Sequence, residues 1–285
     1  MEIGLNLYSI RTVLEKDYFG TLEHVASMGY RNIEMLNLNR TTGKRYSDTF
    51  SGTEVAGKLA ELGLNPIAVH ESIPPDTRLT EMNWDFIIDY NLTVGCRNVV
   101  IPALWFKDRE QTLEAADQLN AIGQLCRKNG AQLYYHNHFH EFTKDGDHRL
   151  FDLLVERTDP SFLKFELDLV WVMRGGQDPV EWLKRLGGRC DMIHQKDVSA
   201  AASPFHMIDA LTEEHRSMPW LEVYGKLMQP HDFVDLEEGI FHFQDIYPQI
   251  RELGTIKYAI VENEGKKEDR MAAVSRDLQA ILKYI

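Results

Sequence analysis

Four short segments of this chain carry histidines and carboxylates at alternate positions. They read Tyr134-Tyr135-His136-Asn137-His138-Phe139-His140-Glu141, Lys164-Phe165-Glu166-Leu167-Asp168, Met192-Ile193-His194-Gln195-Lys196-Asp197 and Ile260-Val261-Glu262-Asn263-Glu264-Gly265. In an extended strand successive side chains point to opposite faces, so His136 shares a face with His138, Glu166 with Asp168, His194 with Lys196 and Glu262 with Glu264. The intervening Phe165, Leu167, Ile193 and Val261 suit the other, apolar face. Imidazoles and carboxylates converging from four neighbouring strands would repel one another or lie desolvated unless something compensates. A divalent cation does so, and histidine nitrogen mixed with carboxylate oxygen suits manganese, zinc, cobalt or iron without choosing among them. Such an ion would polarise an adjacent carbonyl or hydroxyl oxygen and ease the loss of protons beside it. A lone Asp or His at a strand end is more often a cap or a hydrogen-bonded loop residue; four in phase tip the balance toward a metal.

The elements that must position these residues alternate along the chain. Strands are expected at Ile3–Leu7, Asn32–Met35, Asn65–Val69, Asn98–Ile101, Gln132–His136, Leu163–Leu167, Asp191–His194 and Tyr258–Val261. Amphipathic helices are expected at Tyr18–Met28, Gly52–Leu62, Leu79–Leu92, Asp108–Lys128, Leu150–Arg157, Pro179–Leu186, Phe241–Leu253 and Lys267–Ile285, several ending at a glycine such as Gly29, Gly63, Gly130 or Gly254. Strict βα alternation makes the strands parallel, and eight units close a (β/α)8 TIM barrel, an α/β fold of one domain over residues 1–285. The rival, an open doubly wound sheet, lacks a GxGxxG turn after its first strand. Residues 198–235, after the seventh strand, are too long for a simple connection and suit a lid, a subunit contact or a disordered excursion.

A parallel barrel carries its active site at the carboxyl ends of its strands, where the four segments end. Other residues could reach that mouth. Glu34, His70 and Glu71 are candidates that could equally form hydrogen bonds within the barrel, and His140 and Glu141 are as well suited to structure as to substrate contact. Tyr8, Trp105, Phe139 and Trp171 could stack on a sugar ring or lie buried under loops. Lys164 and Glu166 suit an ion pair inside the barrel. No GxSxG, Walker loop or HExxH is present.

A net charge of -13 disfavours nucleic acid and anionic membrane as partners, and the 44% hydrophobic content includes no stretch long and apolar enough to span a bilayer. The start Met1-Glu2-Ile3-Gly4-Leu5 lacks the cationic and apolar regions of an export signal, and three scattered cysteines, Cys96, Cys126 and Cys190, form no framework. A soluble, cytoplasmic protein is expected.

The motifs Leu7-Tyr8-Ser9-Ile10-Arg11, Gly29-Tyr30-Arg31-Asn32-Ile33-Glu34, Tyr135-His136-Asn137-His138, Phe165-Glu166-Leu167-Asp168-Leu169-Val170-Trp171, His194-Gln195-Lys196-Asp197 and Val261-Glu262-Asn263-Glu264 resemble the xylose isomerase-like barrel superfamily, in its sugar phosphate isomerase and epimerase branch, nearly end to end. The resemblance implies one divalent ion, manganese or zinc foremost, with cobalt, iron or magnesium as alternatives. It implies ligation by Asp168, His194 and Glu262, with His136 standing where relatives have a glutamate. A histidine bound to metal has its lone pair committed, so an epimerisation run by two metal-bound glutamates is disfavoured and one-base chemistry is expected. Glu262, Glu264, His138 or Glu141 would take the proton beside a polarised carbonyl, Lys196 would steady the enolate, and Tyr8, His70, Trp105, Asn137 and Trp171 would contact substrate. The expected activity is a sugar isomerase or epimerase. Dehydration or lyase cleavage of a keto sugar, keto inositol or keto-glycoside is the alternative. Further behind come a metal-free binding subunit and an endonuclease on abasic DNA, the latter at odds with the acidic charge. The expected partner is a small sugar-like molecule, with a homo-oligomer possible.

Overall fold

The structure is a computed structural model and describes residues 1–74, 77–229, 231–265 and 269–285. Eight parallel strands, β1 (Glu2–Asn6), β2 (Asn32–Leu36), β3 (Asn65–His70), β4 (Asn98–Ile101), β5 (Gln132–His136), β6 (Leu163–Asp168), β7 (Cys190–Gln195) and β8 (Tyr258–Val261), follow one another round a closed barrel. β1 pairs with β2 on one side and with β8 on the other, which closes the ring and leaves no barrel edge open.

The helices that return the chain are α1 (Tyr18–Ser27), α2 (Gly52–Leu62), α3 (Trp84–Val94), α4 (Arg109–Lys128), α5 (Leu150–Arg157), α6 (Pro179–Leu186), α7 (Phe243–Leu253) and α8 (Arg270–Ile281). Local chemistry fixes their starts: Asp17, Ser51, Asn83, Asp108, Asp178 and Asp269 each accept a backbone N–H of the first turn. α2 and α7 stop at Gly63 and Gly254, both at φ +65°, a left-handed conformation that favours glycine. α3 starts at Trp84 rather than Leu79, because Leu79–Glu81 forms a separate 3-10 turn whose Leu79 carbonyl accepts the Trp84 indole N–H at 2.6 Å. The expected start of the last helix at Lys267 lies outside the described residues. Among the described residues no helix is long and apolar enough to cross a membrane.

Side chains from alternate strand positions separate two apolar regions. Phe165, Leu167, Ile193 and Val261 join the large core between sheet and helices, while Ile67, Ala68, Val100, Tyr134, Met192 and Ile260 form a separate cluster. Lys164 pairs with Asp191 at 2.7 Å, and Tyr134 donates its hydroxyl to the same carboxylate. The expected Lys164–Glu166 pair is therefore not formed. Two residues of strand advance the chain by about 6.6 Å, enough to put these side chains in different layers of the barrel.

Residues 198–229 and 231–235 fold as a cover across the barrel mouth. Their ends meet in a two-stranded antiparallel ribbon, Asp197–Val198 against Phe233–Val234, and between them lie helices Glu213–Ser217 and Trp220–Leu227. Trp220 is buried and donates its indole N–H to the Phe106 carbonyl at 2.9 Å. Arg174, wholly buried at the end of the short helix Leu169–Arg174, reaches into the cover to Asp232 and the Pro204 carbonyl, both at 2.9 Å. At the base, the Asp197 carboxylate accepts the backbone N–H groups of Glu237, Gly239 and Phe241, each at 3.0 Å. A side chain at position 239 would collide with that carboxylate and with the Val198 carbonyl.

Candidate metal centre and its cavity

The carboxyl ends of β5, β6, β7 and β8 bring His136, Asp168, His194 and Glu262 together, with one donor atom of each lying within 4.8 Å of all the others. Each side chain is aimed by a partner behind it. The Nδ1 of His136 stands 3.2 Å from the Pro102 carbonyl, an acceptor, so Nδ1 bears the hydrogen and Nε2 keeps its lone pair. Asp168 caps the helix that follows β6: one oxygen accepts the Trp171 N–H at 2.8 Å and the other, Oδ2, faces His136 Nε2 at 3.5 Å. Both His136 Nε2 and Asp168 Oδ2 are buried without a hydrogen-bond partner. The Nδ1 of His194 contacts Glu262 Oε2 at 2.7 Å, while its Nε2 faces Glu34 at 2.7 Å and Glu166 at 3.1 Å.

Lys196 is buried beside this group, bonded to Glu262, 2.8 Å from Glu264 and 3.5 Å from Asp168 Oδ2. Burial would neutralise it, but Glu262, Glu264 and Asp168 hold its ammonium above the ordinary lysine range. Burial pushes the Asp168 carboxyl up to about 6 in spite of Lys196 and His194. Burial likewise drives His136 and His138 well below the usual histidine range, which keeps both neutral. A neutral imidazole, buried carboxylates and two lone-pair atoms without a hydrogen-bond partner, turned toward one point, fit a divalent cation.

Above the group opens a cavity of ≈ 380 Å³. Its polar side is formed by His70, His136, His138, Lys196, Glu262 and Glu264, with Tyr8 and Arg40 at the rim; Leu36, Leu38, Ile73, Trp105 and Leu221 make an apolar side. Tyr224, from the cover, points its hydroxyl at Glu264 from 3.3 Å.

Of the residues singled out in the sequence, Tyr8, His70, Trp105, His136, His138, Lys196, Glu262 and Glu264 line this cavity. Asn137, Glu141, Trp171 and Phe139 do not. Asn137 accepts the Asp168 N–H at 2.9 Å and so fastens the end of β5 to β6. Glu141 is wholly buried, taking the Tyr135 hydroxyl at 2.8 Å and the His138 N–H at 2.9 Å, and its carboxyl is pushed up to about 8 by that burial. Trp171 is the buried floor under His138 and Tyr224, and Phe139 packs against Trp220 in the core. Glu71 pairs with Arg45 and Asn37 instead of facing the cation site. Arg40, Leu221 and Tyr224 were not singled out as site residues: no strand pattern marks them, since the loop after β2 and the cover bring them in from a distance. The closeness of Glu166 to His194 was signalled by its shared face with Asp168.

A model of the family described as xylose isomerase-like TIM barrel matches residues 22–284. Inosose dehydratase of Geobacillus kaustophilus (strain HTA426) is 28% identical over 148 residues, 52% of this chain and 44% of that one. The chain thus spans less than half the length of this relative, and 49% of a second inosose dehydratase, from Clostridium beijerinckii, which is 25% identical over 160 residues. Among solved structures, a sugar phosphate isomerase/epimerase from Parabacteroides distasonis superposes with a TM-score of 0.73 at 22% identity, covering 99% of this chain and 98% of that one. The IOLI protein with a bound zinc atom superposes with a TM-score of 0.70 at 16% identity, over 100% of this chain and 99% of that one.

Proposed function

From the premise that this chain belongs to the xylose isomerase-like TIM barrel family, we propose that it is a divalent-metal-dependent dehydratase, or related lyase, acting on a keto inositol or keto sugar. His136, Asp168, His194 and Glu262 would hold the ion, and zinc or manganese suits that donor set. The observation that carries the reading is the pair of orphaned buried atoms, His136 Nε2 and Asp168 Oδ2, facing His194 and Glu262 at the floor of an open cavity. The similarity to inosose dehydratases favours elimination over the isomerase or epimerase activity expected first.

A bound divalent cation supplies Lewis acidity at the substrate's carbonyl oxygen. The chain's own groups do the rest. His138 is the base: it lines the cavity beside Lys196 and Glu262 and is held neutral, so that it has a lone pair to offer a proton. Glu264 is tied to Lys196 and Tyr224, and Glu141 lies below the cavity, which leaves His138 the freer group. It removes the proton from the carbon beside the ketone, while the Lys196 ammonium offsets the negative charge gathering on oxygen. The electron pair then forms the carbon–carbon double bond as the β-hydroxyl departs. The protonated imidazole returns its proton to that oxygen, so water leaves and His138 is neutral again. Tyr8, Arg40 and Tyr224 would bind the remaining hydroxyls, and the cover would keep bulk water out.

Incubating metal-loaded protein with inososes and keto sugars tests this. Loss of one water by mass, with growth of conjugated-enone absorption, is the expected result. An isomer of unchanged mass would restore the isomerase or epimerase reading.

A further inference from the structure

Below the proposed cation lies a second set, Glu34, His70, Glu166 and His194, whose donor atoms are as closely gathered as those of the first, and the two sets share His194. Hydrogen-bond direction tells them apart. The Oδ1 of Asn6 accepts the Tyr8 backbone N–H at 2.6 Å, so its Nδ2 is the atom that faces Glu34 Oε2 at 2.6 Å and His70 Nδ1 at 3.5 Å. An amide NH2 only donates; His70 Nδ1 is therefore an acceptor, and Nε2 carries the hydrogen. That Nε2 stands 3.1 Å from Glu166 and 3.3 Å from Glu34. A ring nitrogen that bears hydrogen has no lone pair for a cation. His136 is the reverse case, with its hydrogen turned away to a carbonyl and its lone pair turned in.

We propose that Glu34 and Glu166 are positioning residues that hold no ion of their own: together they take the Nε2–H of His194, which leaves Nδ1, on the Glu262 side, as the nitrogen that would ligate a cation. The proposal rests on the metal reading above. Its geometry is set from four strands. Glu34 on β2 lies 2.7 Å and Glu166 on β6 lies 3.1 Å from His194 Nε2, while His70 on β3 donates to the same carboxylates and stacks on the His194 ring at 5.2 Å and 16°. Asn6 on β1 holds Glu34 from behind. A carboxylate on the far nitrogen of a liganding imidazole orients the ring and raises its basicity, and losing such a partner typically weakens metal binding about tenfold to a hundredfold.

The test compares full-length wild type with Glu34→Gln, Glu166→Gln and Glu262→Gln by zinc titration calorimetry, with the visible spectrum of the cobalt-loaded protein as a second readout. Expected are one cation per chain in wild type, still one but bound about tenfold to a hundredfold more weakly in Glu34→Gln and Glu166→Gln, and a displaced cobalt band in both. A merely structural role would leave that band in place. Should a Gln variant fold poorly, His70→Gln, which removes only the group steadying both carboxylates, carries the comparison and is expected to weaken binding in the same direction. Two cations per chain would overturn the proposal, as would wild-type affinity and spectrum in the Glu34 and Glu166 variants while Glu262→Gln loses the metal. Wild-type affinity in Glu262→Gln, or no cation bound by wild type, would instead overturn the metal reading beneath it.

Discussion

Asp168 divides its work between two oxygens: one caps a helix and the other waits, buried, beside His136. Burial moves this carboxyl up to about 6, so the ionised form that binds a cation is present above that value and is lost as pH falls through it. Cation affinity should fall more steeply with falling pH below about 6, where Asp168 joins His194, held protonated by Glu166 and Glu34, in competing with the cation; calorimetry in buffers of different ionisation heat checks this, and Asp168→Asn should remove the steeper part while weakening binding throughout. The neutral His138 makes a separate prediction. His138→Ala should lower kcat by roughly a hundredfold to ten-thousandfold and leave bound metal, measured by elemental analysis, unchanged. Most of this centre was legible from residue type and strand parity alone, because alternation fixes which side chains face inward. Parity does not say how deep a side chain reaches. That is why Lys164 and Glu166, on one face, were paired in expectation but part company in space, and why Glu141, three residues past the cavity-lining His138, turned out to support His138 from below.

At the scale of elements, the eight strands were legible because each is a short apolar run bounded by turn residues, and their ends shifted by only a residue or so. The cover was legible only as an excess of length. Its placement depends on contacts far apart in sequence, such as Trp220 with Phe106 and Arg174 with Asp232, which no local pattern announces. The Arg174–Asp232 pair is wholly buried, so removing one partner strands the other's charge. Asp232→Ala should cost about 3 to 5 kcal/mol in urea unfolding, if unfolding is a single transition. If the cover loosens first, a local transition followed by Tyr224 or Trp220 fluorescence should precede the main one.

The whole molecule gathers its largest group of buried ionisable side chains at one end of the barrel. A cation held there would bind the folded chain and not the unfolded one, and so would stabilise it by mass action. At a hundred times its dissociation constant it should add about 2.7 kcal/mol, and a chelator should lower the thermal midpoint by about 5 °C. A midpoint indifferent to both chelator and added zinc would count against the centre. The same concentration of function leaves the remainder of the barrel free to serve stability alone.

The ribbon of Asp197–Val198 and Phe233–Val234 has a consequence for how such a protein can change. Everything between departs and returns through two adjacent points, pinned by one carboxylate, so that stretch is a cassette. Longer or shorter versions could be grafted onto the same scaffold, altering which molecules gain entry while the reactive floor stays as it was.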